Sequence, residues 1–358
     1  MSPKFSYSEA GVDRKLREKS KKSLSSLEKT YGFSRFGEVL NLPFGKVFPW
    51  ADSYFDLAIE GVGTKVLVAQ LAGRFDTIGI DGVAMVVNDV IRSGARPLAI
   101  ADNIHAQISN PDMISELLKG LVKGAQEAQT IVPNGEIGDV AEIIKGINEG
   151  KGFDLVVSSI GLVQKEKVIS GKKVKPGDAI VGLRSSGVHS NGISLARRVL
   201  FKKWGGKYDV EDIPDGLERE VICEVLEPTT IYVKPVLAVA ERLELKAAVH
   251  VTGDAYIKFD KIKEFSRKIG FEFDNFNPQP IFSLIQDTAS ELGGSIDDDE
   301  MFKTFNMGWG FALITNPENS EEAIDILEKT GVHAEEIGKV TKNEGVRIAY
   351  GEKKFRLT

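Results

Sequence analysis

One cysteine, Cys223, stands among 358 residues, which excludes an internal disulfide and a CxxC metal site. It lies in the apolar pattern VICEVL and reads as a structural thiol rather than a nucleophile. An excess of positive charge is also missing. The formal net charge is −6, which leaves no electrostatic footprint for nucleic acid. The one basic stretch, Arg14 to Lys29, reads as a solvated N-terminal helix, with a flap over a phosphate ligand as the alternative. No apolar run reaches the ~18 residues that span a bilayer, and MSPKFSYSEAGVD lacks a signal-peptide core, so a cytoplasmic protein is expected. The chain has no HExxH, no assignable Ser/His/Asp order and no short-period repeat. Neither standard nucleotide fingerprint fits: GxxxxGK[ST] is absent, and GVGTK lacks the spacing of GxGxxG.

What the chain does have is alternating strand and helix patterns. Tyr54–Ile59, Pro97–Ala101 and Phe153–Val163 read as strands, and Thr64–Ala72, Gly82–Ile91 and Pro111–Ala128 as helices. Lys165–Asp178 is polar, basic and turn-rich, and it reads as a seam. Beyond it, strands are expected at Ala179–Leu183, Ala247–Val251, Phe271–Phe273, Phe311–Thr315 and Val346–Ala349. Helices are expected at Ile193–Leu200, Leu217–Leu226, Val233–Leu243, Phe259–Ile269 and Ser320–Lys329. The pattern predicts a mixed α/β (α+β) protein of two domains, residues 1–168 and 169–358.

Three places could carry chemistry. The first is the turn Glu60-Gly61-Val62-Gly63-Thr64-Lys65, where a strand runs into a helix. Its glycines let the backbone approach a phosphate, Lys65 adds a positive charge, and a plain turn capped by Thr64 is the alternative. The next helix carries Asn88 and Asp89 in an apolar setting, where a carboxylate needs a partner. Asp81 is placed just before that helix, as a ligand or a cap, and Asp102 ends a strand. The second place is Ser185-Ser186-Gly187-Val188-His189-Ser190-Asn191-Gly192, dense in polar groups and suited to an anion or a polar small molecule. The third is MFKTFNMGWG at 301–310, with Thr304 and Asn306 as its polar groups, where a bulged strand is the simpler reading. His250, Thr252 and Asp254 end another strand with the same ambiguity. Spacing alone therefore gives a two-domain α/β protein suited to a phosphorylated ligand with Mg2+, and no reaction.

Taken in chain order, SYSEAGVD (6–13), GVGTK (61–65), DTIGIDGVAMVVND (76–89), GARPL (94–98), SSGVHSNG (185–192), EPTTIYVKPVL (227–237) and MFKTFNMGWG resemble the phosphoribosylformylglycinamidine cyclo-ligase (aminoimidazole ribonucleotide synthetase) family. The resemblance implies ATP and Mg2+ in the N-terminal half and a ribonucleotide substrate shared with the C-terminal half. It implies a homodimer whose N-terminal sheets pair into a barrel. On this basis Glu60, Asp89 and Glu136 are expected at the metal. Gly61, Gly63, Thr64, Lys65, Asp81, Asn88, Asp102 and Glu136 are expected at ATP. Ser186, Gly187, His189, Ser190, Asn191, Thr252, Thr304 and Asn306 are expected at the substrate. His189, Asp89 and Lys65 are the expected catalytic groups, His189 as a proton-transfer group because an unperturbed imidazole titrates near working pH. Three departures from the family pattern stand out: Ile59-Glu60 before the first glycine, Asn134-Gly135-Glu136-Ile137, and Asp254-Ala255 in place of glycines. A kinase of the same superfamily and a non-catalytic nucleotide-binding paralogue are the alternatives.

Overall fold

A computed structural model describes residues 5–358. Helix α1 (Arg14–Lys21) leads, through a 3-10 stretch at Lys22–Phe33, into a sheet drawn wholly from the first half. Its strands are β1 (Leu40–Leu42), β2 (Gly45–Trp50), β3 (Ser53–Gly61), β4 (Arg96–Ala106), β5 (Ile131–Asp139) and β6 (Phe153–Gln164). Their order is β1-β2-β3-β6-β4-β5, an open sheet in the single chain, in which β4 and β5 alone run parallel. Along β6, buried and half-buried residues alternate from Phe153 to Val163, the period of a strand with one face on a core. That face is covered by α2 (Lys65–Ala72), α3 (Asp76–Val90) and α4 (Pro111–Glu127). Helices α3 and α4 meet backbone to backbone: a Cβ on Gly120 would lie 1.8 Å from Asp76 O.

The second sheet comes wholly from the second half. Its strands are β7 (Ala179–Arg184), β8 (Leu245–His250), β9 (Gly270–Phe273), β10 (Trp309–Thr315), β11 (Ala334–Thr341), β12 (Gly345–Tyr350) and β13 (Lys353–Arg356), ordered β13-β12-β9-β11-β7-β10-β8. Strands β8 and β10 are buried from end to end. Helices α5 (Ile193–Leu200), α6 (Val221–Leu226), α7 (Val233–Ala240), α8 (Pro280–Glu291), α9 (Asp298–Thr304) and α10 (Ser320–Lys329) complete this half. Tyr256, Phe259, Phe273 and Phe302 build an aromatic core beneath the sheet.

Two expectations need correction. Helix α3 starts at Asp76, not near Gly82, so Asp81 lies in mid-helix and caps nothing. Gly79 and Gly82, which weaken the sequence signal for a helix, are places of close packing; a Cβ on Gly82 would meet Val157 at 2.8 Å. The helix expected over Phe259–Ile269 is instead a 3-10 stretch at Ala255–Glu264. The bulge expected near MFKTFNMGWG is present as a register shift between Trp309 and Phe311, with Met301 to Thr304 belonging to α9.

Candidate functional site

A cleft of about 960 Å³ opens between the halves. Glu60 reaches it from the end of β3, Met85 and Asp89 from α3, and Asn191, Thr252 and Lys258 from the second half. Arg17 and Lys21 of α1 close one side, so the basic N-terminal stretch borders the site. Arg17 Nη2 pairs with Asp254 Oδ1 at 2.5 Å, and Arg14 Nη1 donates to both oxygens of Glu300 at 3.1 Å. Those contacts dock α1 on the C-terminal half. Asp254 takes a left-handed backbone, φ 68°, a conformation that costs a non-glycine residue about 1–3 kcal/mol.

Asp89 is the most constrained group in the cleft. Its Oδ1 lies 2.8 Å from His250 Nδ1 and its Oδ2 2.8 Å from Arg92 Nη2. Burial opposes its charge, but Arg92, the His250 hydrogen bond and Lys258 outweigh burial and hold its carboxyl below the usual range. Burial pushes the Glu60 carboxyl up, and the Asp89 charge pushes it further. Lys258 donates to His250 O at 3.0 Å, and burial lowers its ammonium to about 8 against the opposing pull of Asp89.

The residues that chain order attaches to the phosphate turn are not at the cleft. Lys65 and Asp81 are both fully buried. Lys65 Nζ donates to Asp81 Oδ1 at 3.0 Å and to Glu227 O at 2.7 Å, and lies 2.8 Å from Asp81 Oδ2. Thr229 donates to Asp81 Oδ1 through its N–H at 2.8 Å and its hydroxyl at 2.7 Å. Asn88 donates to Thr230 O and accepts from Tyr232 N–H, both at 2.8 Å. Lys65 therefore pairs with a buried carboxylate, and Lys65, Asp81 and Asn88 clamp the first half onto segment 227–232. Thr64 makes no cap; its hydroxyl meets Ser194 Oγ at 2.9 Å.

The loop 185–192 is fastened from three sides. Ser186 Oγ donates to Pro228 O at 2.5 Å, and Ser190 Oγ meets Thr229 Oγ1 at 3.2 Å. Asn306 Nδ2 donates to Gly187 O at 2.8 Å, and Thr304 Oγ1 accepts from Arg14 Nη2 at 2.6 Å, so both support the loop and α1 from below. Asn191 does reach the cleft and accepts from Gly253 N–H at 2.7 Å. His189 is 1% exposed with φ 58°. Its Nε2 accepts from Ser186 N–H at 3.2 Å and Thr230 N–H at 3.5 Å. Burial, then the nearby His250 and Lys65, push its pKa well below the ordinary value. The ring is thus a buried, hydrogen-bonded imidazole, not the solvent-exposed one for which an ordinary pKa is expected.

Of the other expected residues, Glu60, Asp89, Asn191 and Thr252 share the cleft, while Asp102 and Glu136 do not line it. Glu136 sits on exposed edge strand β5, three strand spacings or about 14 Å from β3, so one chain cannot bring it to Glu60. Arg92, Lys258 and Asp56 were missed in sequence. Asp56, two turns of the pleat before Glu60 on β3, borders a small cavity with Asp89 and Arg92. Burial raises its carboxyl to about 6. The native state thus holds a proton that the unfolded chain has lost, so this contribution to stability fades as pH rises from about 4 to about 6. Asp56→Asn should flatten the pH dependence of urea midpoints across that window; an unchanged slope would mean Asp56 titrates normally. Cys223 is half-buried, with its thiol pushed up by burial, as a structural cysteine requires.

Residues 47–163 match the family model for the N-terminal domain of AIR synthase related proteins, and residues 175–351 match that for the C-terminal domain. A phosphoribosylformylglycinamidine cyclo-ligase of Pyrococcus furiosus is 37% identical over 98% of this chain and 99% of its own length. One from Methanocaldococcus jannaschii is 40% identical, covering 93% and 91%. Among solved structures, the hydrogenase maturation protein HypE in complex with ATP superposes with a TM-score of 0.59 at 16% identity, covering 92% of this chain and 89% of that one. T. maritima PurL complexed with AMPPCP gives 0.57 at 15%, covering 89% and 45%. These two share the fold.

Proposed function

The chain belongs to the AIR synthase related family, and we propose on that premise that it closes the imidazole ring of formylglycinamidine ribonucleotide. The products are aminoimidazole ribonucleotide, ADP and phosphate, formed in the cytoplasm as a step of purine synthesis. The observation that carries the reading is the cleft itself. Carboxylates from the first half (Glu60, Asp89) face Asn191 and Thr252 from the second half across one opening. Residues 1–168 are the ATP-binding and dimerisation half, and 169–358 the substrate side.

The chemistry requires the formyl-amide oxygen to become a leaving group. That oxygen takes the γ-phosphoryl group of ATP and ADP leaves. The substrate's internal amine then attacks the activated carbon, the new C–N bond forms, the C–O bond breaks, and phosphate departs as the nitrogen sheds its proton. Such transfer depends on positioning and charge. Arg92 and His250 fix the Asp89 carboxylate, Asn191 fixes the backbone at Gly253, and Arg17, Lys21 and Lys258 set positive charge around anionic substrates.

A magnesium ion fits Glu60 and Asp89: two carboxylates wall one cleft, and the charge on Asp89 disfavours ionised Glu60, a repulsion that a cation relieves. Among the described residues no group of three His, Cys, Asp or Glu side chains forms a metal cage, so Glu60 and Asp89 would hold the ion only together with oxygens supplied by the nucleotide. When bound, the ion neutralises developing phosphate charge.

Among the described residues the first sheet leaves one face without a cover. Leu57 and Ile59 are 60% and 67% exposed, and Trp50 52%, a patch that marks an interaction surface. β5 also leaves an edge open. A homodimer covers both. Light scattering should give twice the 39.1 kDa chain mass for the wild type, and Ile59→Glu should shift it to the monomer; a wild-type monomer at micromolar concentration would contradict the dimer. The function itself is tested by incubating the protein with formylglycinamidine ribonucleotide, ATP and Mg2+. ADP and the aminoimidazole should appear together. ADP with a phosphorylated, unclosed product would favour the kinase reading, and neither product the non-catalytic one.

A further inference from the structure

Among the described residues, two ring nitrogens lie deep in the protein without a hydrogen-bond partner: His189 Nδ1 and His250 Nε2. Both imidazoles are at most 1% exposed, where an unpaired polar atom is costly. The rest of the hydrogen-bond pattern fixes what each nitrogen can do. His189 Nε2 accepts from two backbone N–H groups, so it bears no proton, and in the neutral ring Nδ1 must carry it. His250 Nδ1 faces the Asp89 carboxylate at 2.8 Å, which only accepts, so Nδ1 carries the proton and Nε2 offers a lone pair. One orphan is thus a donor and the other an acceptor.

Both rings pack against β10. Phe311 is the register partner of His250 and stacks on it, with ring centroids 6.0 Å apart. The preceding residue, Gly310, lies against the other ring: a Cβ there would sit 2.4 Å from His189 Cε1 and 3.1 Å from its Nδ1. The Nδ1 edge of His189 therefore abuts the strand that pairs with His250. Any side chain at 310 would displace that ring and Tyr232, whose hydroxyl would lie 2.2 Å from the new carbon.

We propose that His189 Nδ1–H and His250 Nε2 are joined through one bridging water, making a one-way chain from the Ser186 and Thr230 amides through His189 and His250 to Asp89. Each link has its donor and acceptor fixed by the next, so the chain is a positioning device, not a proton relay. It ties the set of the 185–192 loop to the orientation of the Asp89 carboxylate. His250 is then a positioning residue that acts through Asp89, and the loop on the substrate side bears on a group of the nucleotide side. The functional consequence rests on the assignment of Asp89 to the nucleotide; the hydrogen-bond chain does not.

The chain has four histidines, which makes a direct readout practical. In long-range 1H–15N spectra of histidine-labelled protein, His189 and His250 should both appear as Nδ1–H tautomers, the minor form of free neutral imidazole. His250 Nε2 should show the shift of a hydrogen-bonded acceptor. In His189→Phe it should move to the unbonded position while His250 keeps its Nδ1 proton. A proton on Nε2 of either ring in the wild type, or an unmoved His250 Nε2 in the variant, would overturn the link; the wild-type spectrum decides even if the variant does not fold. Kinetics test the consequence separately. His250→Asn keeps a donor toward Asp89 but has no acceptor at the Nε2 position, and should lower kcat about tenfold with KM for ATP within twofold. Equal losses in KM for both substrates would show a merely structural histidine, whatever the spectra say about tautomers.

Discussion

Asp89→Asn should lower kcat by about a thousandfold, the scale on which loss of one preorganised charge acts in an active site, while the protein stays folded. The substitution changes one oxygen for an amide and keeps the volume. It removes the charge that Arg92 and His250 hold in place and that the proposed reaction places at the nucleotide. Some stability goes with it, because the depressed Asp89 carboxyl stabilises the native state above the unfolded pKa and loses that contribution as pH falls. The discriminating comparison is with ribonucleotide affinity, which should change little because Asn191 and Thr252 remain. Wild-type turnover in Asp89→Asn would remove this residue from the site.

The second large effect is on stability, and it falls on residues that sequence order would send to ATP. Asp81→Asn should lower the melting temperature by roughly 5–15 °C, because it leaves the Lys65 ammonium buried beside a neutral amide. Breaking one member of a buried pair costs about 3–5 kcal/mol, and each kcal/mol moves the midpoint of a protein larger than 150 residues by about 2–4 °C at most. The paired change Lys65→Met with Asp81→Leu should recover most of the loss, since no charge is then left alone. If Asp81→Asn instead left the melting temperature unchanged and weakened ATP binding alone, the clamp would be wrong and the phosphate reading of Lys65 right.

Much of this architecture is legible in the sequence because the underlying patterns are strong. β6 alternates along its length, and α5 and α10 coincide with the apolar stripes at Ile193–Leu200 and Ser320–Lys329. β5 is not legible: Pro133, Gly135 and Gly138 interrupt IVPNGEIGD, and an edge strand tolerates them where an inner one does not. The site is legible in part. Glu60, Asp89, Asn191 and Thr252, to which the resemblance and the polar groups around the strand and helix ends point, line one cleft. Lys65, Asp81 and Asn88 stand out in the same way, but their partners, Glu227 to Tyr232, lie some 140 to 160 residues downstream, and no local pattern reports a contact at that distance. Arg92 and Lys258 escaped because a single cation near a turn has no signature until a carboxylate is seen facing it.

The central claim is that the formyl-amide oxygen of the substrate becomes the leaving group by phosphorylation. Substrate carrying 18O in that carbonyl, turned over with unlabelled ATP in unlabelled water, should deliver its label to inorganic phosphate, one 18O per imidazole ring formed. Label found in water with unlabelled phosphate would mean that ATP is cleaved without activating that oxygen, and would contradict the account.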